Sequence, residues 1–425
     1  MQMNETPSAN RIHIAFFGRR NAGKSSLVNA VTGQNTALVS DIKGTTTDPV
    51  YKAMELLPLG PVVIIDTPGY DDEGELGEMR VDRAKQVLNK TDIAILVLDG
   101  EIPSENVLSN AEAELTGLFA SKRIPFIIVL NKSDSIQDSV KMARESEIMP
   151  VSAKTGYNIL LLKETIASLA NSNPQLSILN SKRLVSDLLK PLDLAVLVIP
   201  IDKAAPKGRL ILPQQQVIRD ILEAGASALA VRDSELRDTL DKLEKKPAIV
   251  ITDSQVFAEV ASIVPRDVPL TSFSILFARC KGFLETAVRG ALTLDNLNSG
   301  DKILICEGCT HHRQCDDIGT VKLPRWIKNH CGNELEFCFC SGGDFPLNPS
   351  VSSGEVSSAY KLIIHCGGCM LNEREMQHRQ SIAEEQGIPF TNYGITIAHI
   401  QGILDRSIAV FNLPHAEAQK RGENY

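Results

Sequence analysis

The chain reads as an α/β protein, with a doubly wound parallel sheet in its first third followed by two smaller α/β domains. Three observations predict this. Apolar runs at residues 13–17, 62–66, 93–98 and 124–130 have the length and continuity of strands buried on both faces. Stretches with helical polar–apolar spacing lie between them, at residues 24–32, 79–89, 104–121 and 158–170. The same alternation then continues in shorter form to the end of the chain.

The first domain is expected over residues 10–171. Residues 171–176 (NSNPQL) have the composition of a linker. A middle domain follows over residues 176–264, with strands at 194–199, 226–231 and 248–252 and helices at 214–224 and 234–245. It carries no catalytic motif and reads as a packing or self-association module. The proline-containing stretch 263–270 (IVPRDVPL) marks a second boundary. The last domain, residues 268–425, is expected to hold strands at 302–305, 335–339 and 361–364 and helices at 283–294, 372–386 and 395–411. Residues 341–358 are rich in Gly, Pro and Ser and read as a loop. The polar tail begins at Pro414, and no internal repeat is evident.

With 425 residues, 43% hydrophobic and 23% charged, the composition is that of a soluble multidomain protein. No apolar run approaches the roughly 20 residues that span a bilayer, and the first residues lack a secretory pattern. The expected location is therefore the cytoplasm, with no membrane partner. A net charge of −8 weighs against nucleic acid as a partner. Of nine cysteines none precedes Cys280, and eight lie between Cys306 and Cys369. In a reducing compartment that clustering points to metal binding before disulfides.

Gly18-Arg-Arg-Asn-Ala-Gly-Lys-Ser25 follows an apolar strand and opens a helical stretch, which is the context a P-loop requires. Gly18 and Gly23 let backbone N–H groups turn towards phosphate oxygens, and the helix N-terminus adds its positive end. Lys24 is the candidate bridge to the β- and γ-phosphates, and Ser25, followed by Ser26, the candidate magnesium ligand. Asp66-Thr-Pro-Gly69 ends the next strand. Asp66 is placed to hold magnesium through water, and the Gly69 N–H to meet the γ-phosphate. Asn131-Lys132-Ser-Asp134 ends a later strand. Its terminal carboxylate can accept two hydrogen bonds from guanine that adenine cannot offer. Ser152-Ala153-Lys154 would bring a backbone N–H to guanine O6. Four motifs in this order read as a GTP site with Mg2+ and as GTPase activity.

Gly44-Thr-Thr-Thr-Asp48 fits a switch segment. Thr46 is the candidate for the magnesium and γ-phosphate contact, by resemblance to the GTTRD pattern of Era-like and TrmE-like GTPases. The same resemblance makes Asn21 a candidate ligand of a potassium ion that stands in for an arginine finger. Tyr70 occupies the place where Ras-like proteins carry a water-orienting glutamine. Slow intrinsic hydrolysis follows, with Asp71, Asp72 or Glu73 as candidate helpers.

Cys309-Thr-His311 lies just beyond one strand and His365-Cys366-Gly-Gly-Cys369 ends another, and sites in open α/β sheets gather beyond strand carboxyl ends. Three cysteines with one other group suit either zinc, with His311 as fourth ligand, or an iron–sulfur cluster with one labile position. Spacing alone leaves both open. His365 is a candidate ligand or a donor to a cluster sulfur. Asp316 and Asp317 read as loop caps. Cys338 and Cys340 share one strand face, Cys280, Cys306, Cys315 and Cys331 read as packing residues, and His312 and His330 carry no spacing argument.

Together these residues resemble the HydF type of FeFe-hydrogenase maturation GTPases. An Era/TrmE-type GTPase domain is followed by a middle α/β domain and then by C-x-H, 53 intervening residues and H-C-x-x-C. The resemblance covers nearly the whole chain. It implies a scaffold that binds a 4Fe–4S cluster through Cys309, Cys366 and Cys369 and forms a homodimer through its middle domain. It further implies receipt of a di-iron precursor made with two radical-SAM maturases and delivery to apo FeFe-hydrogenase, with GTP hydrolysis regulating association. Under that resemblance the metal reading becomes iron–sulfur, with His311 a ligand or a support. A competing reading is an Era/TrmE-type RNA- or ribosome-associated GTPase with a structural zinc. The acidic balance and the absence of a basic, aromatic-studded stretch weigh against it.

Overall fold

The computed structural model describes residues 6–33, 49–70, 83–100, 108–134, 148–173, 183–201, 210–309, 317–343, 345 and 360–411. The candidate residues Thr46, Asp71, Asp72, Glu73, His311, His312, Cys315 and Asp316 lie outside them, as does most of the loop expected at 341–358. The chain divides into two compact units, residues 1–181 and 182–425.

The first unit runs β1 (Ile12–Gly18), α1 (Lys24–Thr32), β2 (Val50–Leu56), β3 (Gly60–Asp66), α2 (residues 83–88), β4 (Ile93–Asp99), α3 (Asn110–Ser121), β5 (Phe126–Asn131), β6 (Met149–Pro150) and α4 (Ile159–Ser172). The sheet order is β2-β3-β1-β4-β5-β6, with only β2 antiparallel. Alternate residues of the central strands feed two cores. Ile14, Phe16, Ile64 and Ile95 pack with Leu27 and Leu162 on one face. Phe17, Ile65 and Leu96 pack with Val87 and Phe119 on the other. Burial on both faces explains why these strands read as unbroken apolar runs. Each fully buried Phe contributes on the order of 2–3 kcal/mol by removal from water.

Strand β2 was not expected from the sequence, because its residues are mostly half-buried or exposed on an edge. Helix α3 starts at Asn110 rather than at residue 104. Ser109 caps it: its Oγ accepts from the Glu112 N–H while Glu112 accepts from the Ser109 N–H at 2.7 Å. Helix α4 runs to Ser172, into the stretch expected as linker.

The second unit contains two four-stranded parallel sheets. The first is built from β7 (Leu194–Val198), α5 (Leu212–Glu223), β8 (Ser227–Val231), α6 (Leu236–Lys242), β9 (Ile249–Thr252), α7 (Phe257–Ile263), β10 (Leu270–Ser272), α8 (Phe273–Cys280) and α9 (Leu284–Ala291). The second uses β11 (Lys302–Glu307), α10 (Leu323–Cys331), β12 (Glu336–Ser341), β13 (Leu362–His365), α11 (Glu373–Glu385), β14 (Phe390–Asn392), α12 (Tyr393–Ile400) and α13 (Leu404–Ile408).

Both sheets have the order second-first-third-fourth strand. This is an internal repeat that the sequence reading did not find. Residues 269–284 and 389–404 align with identities at Pro269/Pro389, Thr271/Thr391, Ile275/Ile395, Ala278/Ala398, Gly282/Gly402 and Leu284/Leu404. Ser272 and Asn392 cap the equivalent helices α8 and α12. The equivalent turns meet, with Asn392 Nδ2 donating to the Ser274 carbonyl at 3.0 Å. Helix α9 lies on β14, where a Cβ on Gly290 would fall 2.2 Å from the Phe390 carbonyl oxygen, and α13 lies on β10.

Strand β10 therefore belongs to the middle sheet although it follows the boundary read at residues 263–270. Val250, Leu270, Ile363 and Phe390 contribute to one core shared by both sheets. Among the described residues no helix is long and apolar enough to cross a membrane.

Candidate functional site

The P-loop joins the end of β1 to the start of α1, beside the point where the strand order reverses between β1 and β4. Gly23 has φ 83, and a Cβ there would fall 2.3 Å from Asn131 Nδ2, so only glycine fits. A Cβ on Gly18 would likewise strike the Val97 carbonyl. Lys24 is buried and its Nζ donates to the carbonyls of Gly18 and Arg19 at 2.8 and 2.7 Å, curling back over the loop. Asn21, the candidate potassium ligand, is exposed with φ 64, and Ser26 is exposed on α1.

Ser25 Oγ donates to Asp66 Oδ2 at 2.5 Å. The other carboxylate oxygen, Asp66 Oδ1, is buried without a hydrogen-bond partner among the described residues. Burial raises the Asp66 pKa, while Ser25 and Lys24 oppose that rise. A hydroxyl beside a half-satisfied buried carboxylate suits a hard divalent cation, so these residues fit magnesium. Gly69 lies against the P-loop: a Cβ there would come within 3.0 Å of the Arg20 amide nitrogen.

The remaining motif residues interlock. Asn131 Nδ2 donates to the Ala22 carbonyl at 3.0 Å, and its Oδ1 accepts from the Ala153 N–H at 3.1 Å. Asn131 thus ties the P-loop to the Ser152–Lys154 turn. Ser152 Oγ donates to Asp134 Oδ1 at 2.6 Å, and this bond first of all holds the exposed Asp134 below the usual carboxylate range. Lys132 Nζ pairs with Asp99 Oδ2 at 2.9 Å, and Lys154 is exposed. An ionised, pre-oriented Asp134 is what recognition of a guanine edge requires.

In the second unit, β11 and β13 are adjacent parallel strands, with Cys306 opposite His365. Cys309 and Cys366 therefore leave the same sheet edge. The Gly308 N–H donates to Cys366 Sγ at 3.1 Å and the Gly368 N–H to the same sulfur at 3.4 Å. Burial raises the Cys366 pKa. Cys369 is pushed up to about 12 by burial and then by the neighbouring Cys366 and Cys309 thiols.

Gly368 has φ 65, and a Cβ on it would meet Met376 Sδ at 2.8 Å. A Cβ on Gly308 would meet Leu371. A half-buried soft donor that accepts two backbone N–H bonds between closely packed glycines, as Cys366 does, fits an iron–sulfur cluster. Asn372 caps α11 through its Oδ1, as expected from a helix starting there.

His365 is fully buried and stacks on Phe390. Its Nδ1–H donates to the Cys366 carbonyl at 2.8 Å, and its Nε2 accepts from Arg379 at 3.0 Å. Burial first and the guanidinium second push its pKa down to about 3. With both nitrogens engaged, His365 supports the Cys366 backbone rather than offering a ligand atom. Arg379 was missed from the sequence, where its one local signal is the i,i+4 spacing to Glu375, with which it pairs. Cys340 and Cys306 are thiol neighbours with Sγ atoms 3.0 Å apart.

Three family models match the chain. They describe a 50S ribosome-binding GTPase over residues 13–132, a hydrogen maturase F dimerization domain over 184–282, and a hydrogen maturase F tetramerization domain over 285–410. Among curated relatives, GTPase Der of Wolinella succinogenes is 34% identical over 179 residues, covering 39% of this chain and 37% of its own length. The tRNA modification GTPase MnmE of Hamiltonella defensa is 34% identical over 154 residues, covering 36% and 33%. The chain thus spans about a third of the length of these relatives. A solved structure of an Aquifex aeolicus Era variant bound to GDP and AlF4− aligns at 20% identity and TM-score 0.33, covering 54% of this chain and 97% of its own.

Proposed function

Because the chain belongs to the hydrogen maturase F family, with that family's dimerisation and tetramerisation domains behind a GTPase domain, we propose that it is a GTP-hydrolysing maturation scaffold. It holds a 4Fe–4S cluster on Cys309, Cys366 and Cys369 and delivers a di-iron precursor to apo FeFe-hydrogenase. What supports this is that Cys309 and Cys366 follow the ends of adjacent parallel strands β11 and β13, with Cys369 three residues after Cys366 and with the Gly308 and Gly368 N–H groups donating to the Cys366 sulfur. Three thiolates leave one cluster position for an exchangeable ligand, which suits a carrier. The match of residues 184–410 to this family favours the scaffold over an RNA-associated GTPase with zinc.

At the nucleotide site, Lys24 turns from its two carbonyls to the β- and γ-phosphates, and the P-loop N–H groups complete the cradle. Ser25 would hold magnesium directly and Asp66 through water, with Thr46 joining from the switch. The bound ion supplies charge neutralisation along the phosphates. The Gly69 N–H reports the γ-phosphate, and Asp134, braced by Ser152, reads guanine while Asn131, Lys132, Ala153 and Lys154 shape its pocket. Asn21 is the potassium contact. Hydrolysis regulates the docking of partners, including two radical-SAM maturases, on a cytoplasmic homo-oligomer.

The test is activation. Anaerobically prepared protein loaded with the di-iron precursor should activate apo FeFe-hydrogenase. Equal activation by protein carrying serine at positions 309, 366 and 369 would overturn the proposal.

A further inference from the structure

We propose that Asp295, His330 and His399 form a second metal site in the second unit, one that takes a divalent transition ion such as zinc or nickel. Three separate elements bring these residues together: the short helix Leu292–Asn296, the last turn of α10 and the last turn of α12. His330 Nε2 lies 2.9 Å from Asp295 Oδ1, and His399 Nε2 lies 3.0 Å from both carboxylate oxygens. The rings are 5.7 Å apart and inclined at 67°. One ligand atom from each residue falls within 4.8 Å of the others.

Both imidazoles aim the same nitrogen at one carboxylate. That is the donor set and convergence of a two-histidine, one-carboxylate site. Ligands about 2.0–2.1 Å from a tetrahedral ion sit roughly 3.3 Å from one another, so the two histidine–carboxylate separations of 2.9 and 3.0 Å need open by only a few tenths of an ångström. Asp295 is half exposed and free to make that adjustment. The electrostatics favour a cation as well. His330 and His399 sit where the negative ends of two helices approach the carboxylate. The side chains are 49%, 26% and 15% exposed in the order Asp295, His330, His399, which leaves the ion an entry path and room for water ligands.

The cysteines would bind soft metals too, so the experiment separates the two sites. Full-length protein with Cys309, Cys366 and Cys369 changed to serine is titrated with Zn2+ by calorimetry and with Co2+ by visible absorption. One equivalent should bind, with Co2+ ligand-field bands and no thiolate charge-transfer band. His330→Gln, His399→Gln and Asp295→Asn in that background should each abolish stoichiometric binding while the thermal melting curve remains cooperative. As a control on folding, wild-type protein with its cluster reconstituted is loaded with Zn2+ and measured by zinc-edge X-ray absorption. The expected shell is nitrogen and oxygen with imidazole scattering. Failure to bind zinc, binding that survives the three substitutions, or a shell of sulfur alone would each overturn the proposal.

Discussion

His365 Nε2 accepts a hydrogen bond from Arg379 Nη1 at 3.0 Å, and that fixes the other ring nitrogen as the donor to the Cys366 carbonyl. Arg379 is itself nearly fully buried and also donates to Glu375 and to the Gly342 carbonyl. A charged residue of α11 therefore sets the tautomer of a residue on β13, and with it the backbone that presents a thiol. Arg379→Leu strips partners from the buried His365 and from the half-buried Glu375 carboxylate and Gly342 carbonyl, and is expected to destabilise the second unit by about 3–5 kcal/mol. Arg379→Lys should recover little of this, because one ammonium cannot reproduce the planar fork. Denaturant unfolding of the two variants checks it; a loss within 1 kcal/mol for Arg379→Leu (by the scale of ordinary surface substitutions) would contradict it.

Lys24 and the cysteines lie in different units, so their functions should separate. Lys24→Ala should reduce GTP turnover by at least roughly a hundredfold, in line with loss of a charged contact to the transferred phosphoryl group. Iron content and the visible spectrum should stay as in the wild type. A variant that lost both together would show that the sites are not independent.

Asp134 accepts from Ser152 on Oδ1 and faces outward, ready for a base. Inosine triphosphate lacks the exocyclic amine, so it should bind more weakly than GTP by the value of one hydrogen bond to a charged group, about 1.5–3 kcal/mol. Asp134→Ala should narrow that gap. Competition binding of the two nucleotides to both proteins measures it, and an unchanged gap would exclude Asp134 as the residue that reads the base.

Arg279 donates to both oxygens of Asp187, with Nη1 to Oδ1 at 3.0 Å, and this first of all holds Asp187 below the usual carboxylate range. A folded-state pKa depressed in this way gives stability that is present above the unfolded pKa and lost as pH falls through the folded value. The difference in urea midpoint between wild type and Asp187→Asn should therefore be full at pH 7 and shrink once the pH drops below 3.8. A constant difference would mean that the pair contributes nothing through charge.

The nucleotide site was legible in the sequence because its motifs are short, ordered along the chain and tied to strand ends. Ser25 meets Asp66, and Asn131 accepts from the Ala153 N–H. The central strands were legible because burial on both faces makes them continuously apolar. Strand β2 was not, since an edge strand needs no such run, and β10 and β14 have only three residues each. The repeat was hidden because the recognisable part of its two copies lies 120 residues apart and most of each copy has diverged, leaving strand order to carry the relationship. Arg379 and the Asp295–His330–His399 group were unreadable for another reason. Their chemistry comes from side chains on different elements, and no spacing along the chain encodes it.

The most direct test of the central claim is the iron and acid-labile sulfide content of anaerobically reconstituted protein, compared with Cys309→Ser, Cys366→Ser and Cys369→Ser singly and together. The account predicts about four irons and four sulfides per chain in the wild type, the content of one 4Fe–4S cluster, and almost none in the triple variant. Full iron content in the triple variant, or a wild type that takes up zinc and no iron, would contradict it.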